Sequence, residues 1–157
     1  MAAIAAAGAG YVTASHATST RVPACPAHAP KMSTFDTQVG GDFVRPGANA
    51  MRLCRYYGIN WGDSKGLRQQ RLIHNSVTVG RITHTFNKLK AAPRGIFCVR
   101  DDGTEMLVVF AYPTARAERV VVKLSGCPFT SNGGAAQQVR WATPRLQHRL
   151  LHLVKGR

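Results

Sequence analysis

The period of the apolar positions changes along this chain, and each change marks an element. Met106–Tyr112 is a nearly continuous apolar run, which suits a central strand buried on both faces. In Glu118–Leu124, Val120, Val122 and Leu124 alternate with Arg119, Val121 and Lys123, which predicts a strand with one wet face. Ile96–Arg100 is short and β-prone, and Asp101-Asp102-Gly103 after it carries the Asp-Gly signal of a hairpin. These three segments predict a three-stranded meander. Met51–Tyr57 and Gln137–Thr143, where Val139 and Trp141 alternate, add further strands. Ser131–Gly134 reads as a turn, and Ser64–Asn75 as a loop or frayed helix.

Two stretches carry the helical period. In Ser76–Lys90, Val79, Ile82, Phe86 and Leu89 fall three and four apart, with Ser76 as N-cap, Lys88 and Lys90 in the last turn and Pro93 blocking continuation. Thr143-Pro144 is an N-cap followed by the favoured first-turn proline. Leu146, Leu150, Leu153 and Val154 then face inward, with Arg145, His148, Arg149 and His152 outward. The expected fold is α+β: an antiparallel sheet of four to five strands with two helices packed on one face.

The first third of the chain behaves differently. Residues 1–22 are small and weakly apolar or polar, with a Ser15-His16-Ala17 pattern that resembles a signal-peptide cleavage site but no basic leader before it. Residues 23–50 hold Pro23, Pro26, Pro30 and Pro46 with Gly40, Gly41 and Gly47, too many breakers for a helix, and predict an extended arm over the domain. Residues 51–157 form the expected single domain. Four cysteines, Cys25, Cys54, Cys98 and Cys127, fit two disulfides in an oxidising compartment. Three connectivities are possible, and the expected one pairs Cys25 with Cys54 and Cys98 with Cys127. No run approaches the roughly 18 apolar residues that signal a membrane-spanning helix.

Charge narrows the range of partners. The net charge is +14, and residues 51–157 hold eighteen of the 21 Lys and Arg against five acids. Such a surface attracts polyanions: anionic envelope polymers, lipid headgroups or nucleic acid. Lys supplies only six of the 21 cations, an Arg bias that a GC-rich genome also produces. Arg52, Arg55, Lys65, Arg68 and Arg71, with Tyr56, Tyr57 and Trp61 among them, form a basic–aromatic cluster suited to stacking and charge. Tyr56 and Trp61 are its candidate stacking residues.

Catalytic patterns are missing. His148 and His152 stand four apart, but no Glu follows His148 in the metalloprotease spacing and no third ligand is evident. Asp101, Asp102 and Glu105 are explained by a turn. No nucleophile elbow and no phosphate loop occurs. The chain is therefore expected to be a non-enzyme without metal or cofactor.

Ala24-Cys25-Pro26, Arg45-Pro46, Leu53-Cys54-Arg55-Tyr56, Cys98 before Asp101-Asp102-Gly103, Ser125-Gly126-Cys127 and Asn132-Gly133 together resemble small exported or lipoprotein-type domains of actinobacteria, annotated mainly as hypothetical proteins. The resemblance implies export and disulfides, and no activity. A second likeness is to the Streptomyces subtilisin-inhibitor family: two disulfides, a helix before a cysteine, and a hairpin leading to another cysteine. It would make residues 99–102 the protease-binding loop and Arg100 its trypsin-directed residue, although Val99 stands where a proline would stiffen the loop. The leading expectation is an exported, extracellular or envelope-bound binding domain for an anionic surface or a protein partner. The rivals are an intracellular nucleic-acid binder and a secreted serine-protease inhibitor.

Overall fold

The computed structural model describes residues 21–30, 41–58, 66–93, 95–98, 101–132 and 138–156. The elements are β1 (Ala50–Tyr56), β2 (Leu67–Ile73), α1 (Ser76–Asn87), β3 (Glu105–Ala111), β4 (Glu118–Lys123), β5 (Phe129–Asn132), β6 (Val139–Trp141) and α2 (Pro144–Lys155). All six strands join one antiparallel sheet in the order β2-β1-β3-β4-β5-β6. The α+β class and the two helices are as expected, but the sheet has one strand more than the largest number anticipated.

Three differences account for the count. Residues 67–73 form an edge strand that pairs with β1 from Met51↔Ile73 to Tyr56↔Leu67. Its polar composition reflects an edge with one wet side, which carries little periodic signal. Residues 129–132 form β5, which takes in Ser131 and Asn132 of the anticipated 131–134 turn. Residues 96–98 form no strand, and the place beside β3 belongs to β1, paired from Ala50↔Ala111 to Tyr56↔Glu105. The Asp-Asp-Gly sequence makes no hairpin. The Asp101 carboxylate accepts from the Gly103 amide at 2.8 Å and the Asp102 carboxylate from the Thr104 amide at 2.7 Å, two side-chain turns that steer the chain into β3.

β3 is buried along its whole length, so the sheet is covered on both faces. On one face Met51, Leu53, Met106, Val108, Phe110, Val120 and Val122 pack under both helices, through Val79, Ile82 and Phe86 of α1 and Leu146, Leu150 and Val154 of α2. On the other face Ala50, Cys54, Tyr56, Leu107, Val109 and Val121 are covered by the arm, through Val22 with Cys25 and Ala29. Val121, anticipated on a wet face, is buried there. The part of the arm over this face is held by the Cys25–Cys54 disulfide, by the Arg52 guanidinium donating to the Pro23 carbonyl at 2.9 Å, by the Tyr56 hydroxyl donating to the Pro26 carbonyl at 3.0 Å, and by the Leu67 amide donating to the Ala27 carbonyl at 3.1 Å. The second disulfide joins Cys98 to Cys127, loop to loop, with Cα atoms 5.2 Å apart. Both pairings match the expected connectivity. Each closes a span of 29 residues, for which chain entropy suggests about 3–4 kcal/mol.

The helices cross the sheet in opposite directions. α1 leaves the β2 edge and is capped by Asn75, whose side chain accepts from the Thr78 amide; Ser76, anticipated as the cap, is the first helical residue. α1 ends at Asn87, short of Lys90, and Lys88 is its C-cap. α2 leaves the β6 edge under its Thr143 cap and ends against β2, where Arg71 donates to the Leu153 carbonyl at 3.1 Å. Arg140 of β6 is buried and fastens the end of α1. Its guanidinium donates to the Asn87 carbonyl at 2.7 Å and to Gln138 Oε1 at 2.8 Å, reaches the Gly41 carbonyl, and lies 5.0 Å over the Phe43 ring. Burial holds its pKa below the usual arginine value, with Asp42 opposing the shift.

Replacing Arg140 by Met would strip donors from buried and part-buried carbonyls at the end of α1. The expected loss is about 2–4 kcal/mol, read as a lower urea midpoint with an unchanged slope.

Candidate polyanion-binding surface

The basic–aromatic cluster anticipated from residues 52–71 does not form one patch. Arg52 lies on the arm-covered face and spends its charge on the Pro23 carbonyl and Gln70. Tyr56 is fully buried beneath the arm, so it offers no stacking face. Burial, then the nearby Glu105 carboxylate, pushes its hydroxyl up to about 12. Arg71 is tied to the end of α2. Lys65 and Trp61 lie outside the described residues, as do Arg100 of the inhibitor reading and the Ser15-His16-Ala17 signal pattern.

Arg55 and Arg68 do come together. They line a small pocket of about 160 Å³ with Tyr56, Tyr57, Asp102 and Thr104. Arg55 donates to Gln69 Oε1 at 3.2 Å, and the Arg68 guanidinium stacks 4.7 Å from the centre of the Tyr57 ring. Burial, then the neighbouring Arg68, holds Arg55 below the usual arginine pKa. Asp102 closes the opposite wall. The Ser125 hydroxyl donates to its carboxylate, which is the main cause of an acid pKa below the usual value; Thr104 and Lys123 act in the same direction against partial burial. The local chain is tightly built. Gly58 has its backbone against the Asp102 carbonyl, where any Cβ would collide. Gly126 takes a φ of +63°, with Asp101 filling the space a side chain would need.

The larger accumulation of charge is on the helix layer. α1 presents Arg81 and His84 outward, followed by Lys88 at its cap. α2 presents Arg145, His148, Arg149, His152 and Lys155, spaced three and four apart along one exposed face. Neither helix contains an acid. The described acids lie elsewhere and are engaged there. Glu118 takes Arg45 at 2.9 Å and the Tyr112 hydroxyl at 2.8 Å, and Glu105 takes Lys123 at 3.0 Å. Asp101 and Asp102 accept from Ser125, and Asp42 faces Arg140. With the described acids engaged by partners off the two helices, α1 and α2 present cations and no acid of their own.

The cluster centred on residues 52–71 therefore missed this surface, although α2's outward residues had been placed correctly. One signal was available: residues 64–100 and 119–157 contain no Asp or Glu at all. The expectation already put both helices on one face of the sheet, but it did not join their outward cations into one candidate surface.

The chain thus forms a two-disulfide α+β domain with helices on one face of the sheet and an arm on the other. It matches no protein-family model, no curated protein and no solved structure.

Ser125 should be separable from the rest of this region by its effect on Asp102. A carboxylate whose folded pKa is depressed stabilises the fold above the unfolded value of about 3.9, and loses that contribution as pH falls through the folded pKa. Ser125→Ala should therefore move the Asp102 titration to higher pH in carboxyl NMR and start acid unfolding earlier. An unmoved Asp102 titration would remove Ser125 as the cause.

Proposed function

We propose that this chain is an exported, non-catalytic binding module that docks on an anionic envelope surface through the outer face of α1 and α2. The observation behind this reading is the acid-free, outward-facing row Arg145, His148, Arg149, His152 and Lys155 of α2, with Arg81 and Lys88 exposed on α1 over the same face of the sheet. Cations held on a rigid helix face act together on a surface whose charges are closely spaced, each contributing on the order of 1 kcal/mol near an anionic membrane. Rim charges of this kind attract and orient more than they bind tightly, so the attachment is reversible and salt-sensitive.

Two disulfides support export, since such bonds persist in oxidising compartments. The resemblance to exported actinobacterial domains points the same way. Among the described residues no helix is long and apolar enough to cross a membrane. The nucleic-acid alternative loses its stacking residue Tyr56 to the core, and Tyr57 already carries Arg68 on its ring.

Two measurements test this reading. Vesicles containing phosphatidylglycerol should sediment the protein, whereas pure phosphatidylcholine vesicles should not. Arg145→Glu with Arg149→Glu should weaken the association about tenfold or more. Association equal on both vesicle types, or unmoved by the double charge reversal, would remove the helix face as the docking surface. Protein from its native host, alkylated without reduction, should show no blocked thiols; four blocked thiols would refute export.

A further inference from the structure

α2 brings two imidazoles closer than a shared solvent face requires. His148 Nε2 and His152 Nε2 are 3.1 Å apart, with ring centres separated by 4.2 Å and planes tilted by 46°. Both side chains are exposed, and the helix that holds them is fixed at both ends, by its Thr143 cap and by the Arg71 contact at Leu153. The spacing of four residues puts the pair on one stripe of the helix, one turn apart.

That separation has a chemical meaning. Imidazole nitrogens bind a divalent transition metal at roughly 2.0–2.1 Å. Two of them spread by roughly 90–110° around one ion lie roughly 2.9–3.4 Å from each other, by simple geometry from those bond lengths. The Nε2 pair already stands at this bite. Without an ion, one ring must donate its N–H and the other accept. A metal uses both lone pairs at once and asks only that each ring carry its proton on Nδ1.

We propose that His148 and His152 form a two-point chelating site for a divalent transition metal that prefers nitrogen ligands, Cu2+ first, with Ni2+ and Zn2+ weaker. The order follows the general stability series for first-row divalent ions. The surroundings set the selectivity. Arg145, Arg149 and Lys155 share the exposed face of α2, Arg71 reaches the helix from β2, and neither helix offers a carboxylate. Mg2+ and Ca2+, which need oxygen donors, have nothing to hold them here. The cationic neighbours oppose any added charge, so the bond to nitrogen must carry the binding. Two protein ligands leave coordination positions open to water or to an anionic oxygen.

The site stands apart from the docking reading, because a metal titration needs no vesicle; its failure leaves that reading intact, and the reverse holds too. The test is calorimetric titration of the full chain with Cu2+ at neutral pH. The comparison proteins are His148→Ala, His152→Ala and, as a control on α1, His84→Ala. Alanine at exposed helical positions preserves the helix, and circular dichroism checks that it has done so. The expected result is one tight equivalent in the parent chain, weakened at least tenfold by either α2 substitution and unchanged by His84→Ala. No tight equivalent in the parent, or one that survives loss of either His148 or His152, would overturn the proposal.

Discussion

A central strand with no wet face imposes the architecture. β3 presents Met106, Val108 and Phe110 to one side and Leu107, Val109 and Ala111 to the other, and all are buried. Water must be excluded from both faces, and each buried side chain of this size is worth on the order of 1.5–3 kcal/mol only when that is achieved. The two faces are covered by different means. One receives two amphipathic helices, which bring large apolar stripes. The other receives an irregular arm, which contributes Val22 and a few small residues and has little apolar surface with which to hold itself down. The Cys25–Cys54 bond, the Arg52 contact and the Tyr56 hydroxyl lie where this weaker cover meets the sheet. A covalent staple is the physical complement of a thin hydrophobic layer.

Arg140 solves a related problem on the helix side. A helix of twelve residues ends with carbonyls that have no intrahelical donor. Arg140 brings a guanidinium to the end of α1 from β6. The same residue reaches the Gly41 carbonyl and the Phe43 ring. Helix end, sheet edge and the 41–43 segment therefore meet at one buried cation.

The surface charge follows from how the few acids are used. Glu118 holds Arg45 and Tyr112 together, Glu105 meets Lys123 on the sheet, and Asp101 and Asp102 shape the entry to β3. These are structural duties, and they take negative charge away from the helix layer. The cations on α1 and α2 are left facing outward with none of the described acids beside them. Overall charge therefore becomes directional charge through folding.

Much of the secondary structure was legible in residue order. The unbroken apolar run of β3 marked it as central, the three-and-four spacing of Val79, Ile82 and Phe86 marked α1, and Thr143-Pro144 marked the start of α2 within a residue. These signals are local: periodicity and caps act within a few residues. β2 was hidden because an edge strand needs only a partner, and its Arg and Gln residues are stabilised by β1 pairing rather than by a pattern of their own. β5, paired on both sides, was hidden because four residues are too few to show a period. The segment before Asp101 looked like a strand because it is apolar, yet pairing with β3 went to β1, a competition between segments some fifty residues apart that no local preference decides. The candidate site divided in the same way. Alternation along β1 puts Arg52 and Tyr56 together on the face that the arm covers, while the packing of the two helices on the opposite face decides which cations stay outside. By itself the sequence determined which residues would be helical, which strand would be central and how much charge the chain carries, because those depend on neighbours in the chain. Only the tertiary structure decided where that charge faces, because side chains distant in sequence share a surface only after the sheet has paired and the helices have crossed it.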